Sequence, residues 1–172
     1  MTVGGGKDCL DSGIDIQNLI DIGIALSSET DLTRLLEKIV SELRRWTRAD
    51  GGSLYLREEN VLRFAVAQND TLTCLRGGDC QLFKPYSIPI NEQSIAGYAA
   101  LTGTILNIPD VGQLPPELPY HFNASFDARF DYQTHSLLVV PLKDHLGEVL
   151  GVLELINALN DQGEAVPFDP RY

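Results

Sequence analysis

Glu154 is the residue whose placement most needs a chemical reason. In the run EVLGVLELI (148–156) it alternates with Val152 and Ile156, so a strand there would turn the carboxylate onto the same sheet face as two aliphatic side chains. An acid on such a face is costly unless it is hydrogen-bonded or the face opens onto a ligand or solvent. Two placements satisfy that condition: a position at the sheet rim, where the acid reaches water, or the wall of a pocket. A second concentration of chemistry lies at FNASFDARFDYQTHS (122–136), which mixes four aromatics with Asp127, Asp131, Arg129 and His135. Phe122, Phe126 and Phe130 recur every four residues, a helical stripe. That stripe serves either as core packing or as a lid whose rings close over a bound molecule.

Other chemistries find no foothold in the sequence. Cys74 and Cys80 are separated by five residues, wider than common zinc knuckles, and no histidine lies nearby. With RGGD between them reading as a flexible turn, both are expected to be exposed, reduced and dispensable. His121, His135 and His145 share no ligand spacing, so neither a metal nor a haem is expected. A bilin is not expected either, because no cysteine adjoins a histidine in 122–136. There is no nucleophile elbow, phosphate-binding glycine loop or paired-carboxylate site. Binding without catalysis and without a cofactor is the expectation.

The bulk properties narrow the partners. A chain of 172 residues suits one domain with a full core. With 13 basic against 24 acidic side chains, its net charge is −11, which argues against nucleic acid or an anionic membrane surface. No apolar run approaches the roughly 20 residues of a membrane span, and MTVGGGKDCLDSG lacks the apolar core of a signal peptide. A cytoplasmic location follows as the expectation.

These candidates need elements to hold them. Residues 1–13 are glycine-rich and aperiodic, and are read as a disordered tail. Ile16, Leu19, Ile20, Gly23 and Leu26 mark a helix over 14–29. Leu32, Leu35, Leu36, Ile39, Val40, Leu43 and Trp46 mark a second over 30–49, capped by Thr30 or Asp31 and ended by Asp50-Gly51-Gly52. The second stripe is wider than one sheet face needs, so a parallel homodimer through residues 14–48 is expected. Within 50–172 the strand signals are SLYL (53–56), VLRFAVA (61–67), PYSIPI (85–90), TILNIPDV (104–111), SLLVVPLK (136–143) and EVLGVLELIN (148–157). EQSIAGYAALTG reads as an inserted helix stopped by Gly103, and TLTCLRGGDCQ as a loop. The sum is an α+β domain: leading helices, then an antiparallel sheet of about six strands.

SIAGYAALTGTILNIPDV, followed after a gap by YQTHSLLVVPLKDHLGEVLGVLELIN, resembles a GAF domain over about residues 30–168. The resemblance implies a GAF fold, with the terminal helices packed on one face of the six-stranded sheet and a small-molecule pocket with its lid on the other. FNASFD resembles the cyclic-nucleotide-binding GAF domains of phosphodiesterases and cyanobacterial adenylate cyclases. On that resemblance Ser53 stands near the base and Ile95 on an apolar pocket wall. Asn123 and Asp127 occupy lid positions facing the ligand, Thr134 contacts it, and Glu154 faces the base or ribose. The chain departs from that pattern at Phe130-Asp131, where Thr-Gly is usual, and at Ala67-Gln68, where Phe-Asp is usual. The late Asn-Lys-Phe-Asp signature keeps Asn157 and Phe168 but has Ala158 for the lysine. Cyclic AMP and cyclic GMP are therefore expected to bind weakly or not at all, with some other small molecule preferred, a nucleotide-like one among the candidates. A branch of GAF-like proteins reduces free methionine sulfoxide with pocket cysteines, and the cysteines here lack that branch's flanking residues. The function implied is a sensory domain that biases an output domain: a phosphodiesterase, cyclase, HD-type phosphodiesterase or histidine kinase. The alternative is a ligand-free dimerisation and relay module. PFDPRY stands where GAF domains normally enter an exit helix, so the expectation is a truncated fragment.

Overall fold

The computed structural model describes residues 32–75 and 87–172, and the packing that follows is that of one compact unit, Leu36–Tyr172. The expected helix over 14–29 and the cap candidates Thr30 and Asp31 lie outside the described residues. Helix α1 runs from Leu32 to Thr47. Its Leu36, Ile39, Val40 and Leu43 pack against Leu54, Val66, Leu138, Leu153 and Leu155, which is the burial that the three- and four-residue spacing demands. Trp46 on the same helix stays exposed.

Asp50-Gly51-Gly52 does not end this helix. The chain turns one residue after Thr47, at Arg48, whose φ is 57°, and Asp50–Gly52 are already inside strand β1 (Ala49–Glu58). The reason is steric. A Cβ on Gly52 would lie 3.0 Å from Val40 Cγ1 and 3.0 Å from Arg44 Cγ, so glycine here lets α1 rest directly on the strand.

The remaining strands are β2 (Val61–Asn69), β3 (Ser87–Pro89), β4 (Leu106–Ile108), β5 (Leu137–Lys143), β6 (Val149–Leu159) and β7 (Ala165–Val166). They form one antiparallel sheet in the order β3-β2-β1-β6-β5-β4, and the two-residue β7 pairs with β6 outside that path. Apart from β7 this is the six-stranded α+β arrangement expected.

TLTCL, expected as loop, is helical: α2 covers Asp70–Leu75. Asn69 caps it, its Oδ1 accepting from the Leu72 N–H at 2.8 Å, and Leu72 is buried. Cys80 and the RGGD turn lie outside the described residues. Helix α3 (Ile95–Thr102) starts at Ser94, whose hydroxyl accepts from Gly97 N–H, and stops at Gly103 with φ 65°. Helix α4 (Ser125–Phe130) follows. No described helix is long and apolar enough to cross a membrane.

A second core fills the sheet face opposite α1. Tyr55, Leu62, Leu137, Val139 and Val152 meet Ile95, Ala96 and Ala99 of α3 there.

Candidate functional site

On this second face a cavity of about 370 Å³ opens between the sheet, α3 and the aromatic segment 122–130. Its size lies within the ordinary range for small-molecule sites. Each lining side chain reaches it for a local reason.

Glu154 sits in the middle of β6, opposite Ser53 of β1 and Val139 of β5. Because β6 runs between β1 and β5, the rim placement is excluded, and the carboxylate faces the cavity. Glu154 is half-buried, and the surface it keeps is enclosed by the cavity walls. That enclosure pushes its carboxyl up to about 7, partly opposed by a hydrogen bond from the Tyr55 hydroxyl.

A β-bulge supplies the next wall. Leu54 pairs with Val66, but Tyr55 pairs with Phe64, so the register shifts by one residue at Ala65. Strict alternation would turn Phe64 and Ala67 to opposite faces. The bulge brings both to the cavity, and Tyr55 and Phe64 meet edge-to-face with ring centroids 5.5 Å apart. Across from them, Phe126 and Phe130 on α4 hold their rings 4.6 Å apart. Phe122 precedes the helix and also lines the cavity.

All six positions singled out from sequence line this cavity: Ser53, Ile95, Asn123, Asp127, Thr134 and Glu154. Their polar atoms are not equally available. Thr134 donates to Asp127 twice, from its N–H at 2.8 Å and its hydroxyl at 2.9 Å, so the two residues clamp one end of the aromatic segment. Asn123 Oδ1 accepts from Ser125 N–H at 3.0 Å and so helps start α4. Ile95 is buried and presents hydrocarbon. Gln68, where the resembled domains carry an aspartate, turns its amide away to α1. Its Oε1 accepts from Ser41 at 3.0 Å and Arg44 at 3.3 Å, and its Nε2 donates to the Glu37 carbonyl at 3.0 Å.

Sequence reasoning missed Tyr55, Phe64 and Arg129 as lining residues. Tyr55 was within reach, two residues after Ser53 on the same strand face. Phe64 was hidden by the bulge.

Behind the cavity lies a polar network that the sequence did not announce. The Tyr132 hydroxyl donates to Asp50 Oδ2 at 2.7 Å and accepts from Asn157 Nδ2 at 3.0 Å. Asn157 also donates to the Gln133 carbonyl at 2.8 Å, and its Oδ1 accepts from the backbone N–H of His135 at 2.7 Å and of Ser136 at 3.2 Å. Asp50 takes two more bonds from Thr71, and its carbonyl accepts from Arg44 at 2.7 Å. Burial and the Asp50 carboxylate hold the Tyr132 phenol protonated, far above its ordinary range. Tyr132 is thereby tied to β1 and β6 just after the aromatic segment ends.

Among the described residues no cluster of His, Cys, Asp or Glu is arranged to hold a metal ion, and no cysteine is among the described lining residues.

The family model of the GAF domain matches residues 31–171. The chain is 28% identical over 143 residues to the dual 3′,5′-cyclic-AMP and -GMP phosphodiesterase 11 of Drosophila melanogaster, an alignment covering 80% of this chain and 10% of that protein. It is 27% identical over 144 residues to the cGMP-specific 3′,5′-cyclic phosphodiesterase of the same fly, covering 78% and 12%. The chain thus spans about a tenth of the length of the curated relatives it matches. Among solved structures, the A. aeolicus nlh2 GAF domain in an inactive state superposes with a TM-score of 0.63 at 22% identity, covering 86% of this chain and 81% of that one. The free methionine-R-sulfoxide reductase of Neisseria meningitidis in complex with its substrate gives 0.58 at 23% identity, covering 86% and 77%. These two likenesses concern the fold.

Proposed function

Because this chain belongs to the GAF family, we propose that it is a non-catalytic regulatory domain that binds a small molecule beneath residues 122–130 and biases an output domain in the cytoplasm. The outputs that fit are a phosphodiesterase, cyclase, HD-type phosphodiesterase or histidine kinase. The observation carrying this reading is the cavity itself. Three phenylalanines line it from the lid side, yet they leave about 370 Å³ open above a carboxylate. A module used only for relay has no need of that space, and filling it with side chains would stabilise the fold.

In this reading Glu154 and Ser53 face the ligand from the floor, Ile95 and the rings enclose it, and Asn123 stands at the mouth. Asp127 and Thr134 shape the wall through their mutual clamp. A homodimer through residues 14–48 belongs to the same proposal, with the exposed Trp46 as a contact.

A library thermal-shift screen on the wild type and Glu154→Gln tests it, beside native mass spectrometry of freshly purified protein. The expected result is at least one small molecule that stabilises the wild type and binds Glu154→Gln about ten- to a hundredfold more weakly, as loss of one charge-assisted hydrogen bond implies. Cyclic AMP and cyclic GMP are expected to leave the melting temperature unmoved, because the Gln68 amide is committed to α1. A wild type that no compound stabilises and that carries nothing on purification would overturn the reading in favour of a relay module.

A further inference from the structure

We infer that the cavity selects an organic cation: an ammonium group on an apolar or aromatic body, its N–H donated to Glu154 and its charge surrounded by rings. This rests on the ligand-binding reading above and adds the ligand's charge. The floor carries a carboxylate in the centre of the sheet, between Ser53 and Val139. Among the described residues no ion pair engages it. A charge so enclosed is costly until a proton or a cationic partner neutralises it, and an ammonium ligand would be that partner.

The walls point the same way. Tyr55, Phe64, Phe122, Phe126 and Phe130 all line the cavity. Aromatic faces attract cations electrostatically, and most strongly where water is excluded. A neutral hydrogen-bond donor would use the carboxylate and pack on the rings but would leave the carboxylate's charge unmatched. An anion would be repelled by it.

Among the described residues, the other charged or titratable groups around the cavity do not supply the missing charge at its floor. Tyr55 of β1 gives a hydroxyl hydrogen bond, while β5 contributes only Leu137 and β6 flanks Glu154 with Val152 and Ile156. Asp127 is occupied by Thr134. Arg129 is exposed, with its guanidinium carbon 5.1 Å from the Phe130 ring centroid, where solvent and salt screen it. His121 is exposed as well. The net charge of −11 favours approach of a cation over an anion.

Enclosure holds the Glu154 carboxyl partly protonated near neutrality. An ammonium must expel that proton, so its binding strengthens as pH rises from 5.5 to 8.

Calorimetric titration of the 172-residue chain with matched triples decides the matter. Each triple carries an ammonium, a hydroxyl or a carboxylate on the same phenethyl, indolyl-ethyl or alkyl body. The wild type is expected to bind ammonium members at least about tenfold more tightly than their alcohols, with affinity increasing between pH 5.5 and 8. Glu154→Gln removes both the preference and the pH dependence, and Phe64→Leu weakens ammonium binding more than alcohol binding. Alcohols or carboxylates binding as tightly as the ammonium members would overturn the cation assignment and leave the ligand-binding reading standing. Should no member of any triple and no compound of a wider library bind, both fall together.

Discussion

Asn157→Ala is expected to lower the unfolding free energy by about 3–4 kcal/mol, read as a reduced midpoint in urea with an unchanged slope. The size follows from what the side chain does. It answers two backbone N–H groups, of His135 and Ser136, and donates to the Tyr132 hydroxyl and the Gln133 carbonyl. Stranding buried partners of this kind costs about 1–3 kcal/mol each, tempered here because Tyr132 keeps Asp50 and His135 is exposed. The backbone adds its share, since Asn157 has φ 54°, and alanine in the left-handed region costs about 1–2 kcal/mol. Asn157→Gly separates the two contributions, recovering only the backbone part. Asn157→Asp keeps the acceptor but loses the donor to Tyr132 and places a second carboxylate close to Asp50. An alanine variant within about 1 kcal/mol of the wild type would show that the network does not hold the fold.

Raising the pH from 4 to 8 is expected to weaken the wild-type fold relative to Glu154→Gln by about 3 kcal/mol. Burial lifts the native carboxyl from its ordinary 4.5 to about 7. Below the lower value both states are protonated, and the group contributes no difference. Between the two values the unfolded chain ionises while the native state keeps its proton. Native stability then falls by about 1.4 kcal/mol per pH unit. Above 7 both states are ionised, and the penalty stays constant at its full value. Glutamine keeps an acceptor for the Tyr55 hydroxyl and has no such penalty. The variant is thus the more stable protein at pH 8 and matches the wild type at pH 4, while being the poorer binder: stability and function separate at one atom. Urea titrations at both pH values check this, and parallel curves for the two proteins would refute it.

How much of this was legible in the sequence varies with the kind of signal. The alternation in EVLGVLELI put Glu154 on the face of Val152 and Ile156, because a strand period of two leaves no freedom once those two pack on the core from one side. The stripe Leu36, Ile39, Val40 and Leu43 likewise declared the face of α1 that meets the sheet. Phe64 was not legible, because a bulge costs one residue and leaves no mark in VLRFAVA. Asp50-Gly51-Gly52 looked like a helix stop, since glycine's uses for turning and for close approach look alike in one dimension. The Asp50–Tyr132–Asn157 network was invisible for a different reason. Its members are 82 and 25 residues apart, and polar residues reveal no partner at that range.

The segment over the cavity is fastened unequally at its two ends. After α4 it is held by the Asp127–Thr134 clamp and by Tyr132 in its buried network. Before α4 its hydrogen bonds among the described residues include the backbone bond from His121 to Gln93 and the Asn123–Ser125 bond, both at exposed residues, beside the packing of the half-buried Phe122 on the core. Any opening of the segment is expected to begin on the His121–Asn123 side and to turn about the bend at Asp131, whose φ is 52°. The door is therefore far from Glu154 in bonding terms. Because the rings of this segment also line the cavity, loosening it is expected to speed exit more than entry and so to shorten the stay of a bound molecule, whereas changing the floor is expected to alter which molecule binds. For the ligand-binding domain proposed above, the attachment of this segment would then set how long a response outlasts the signal.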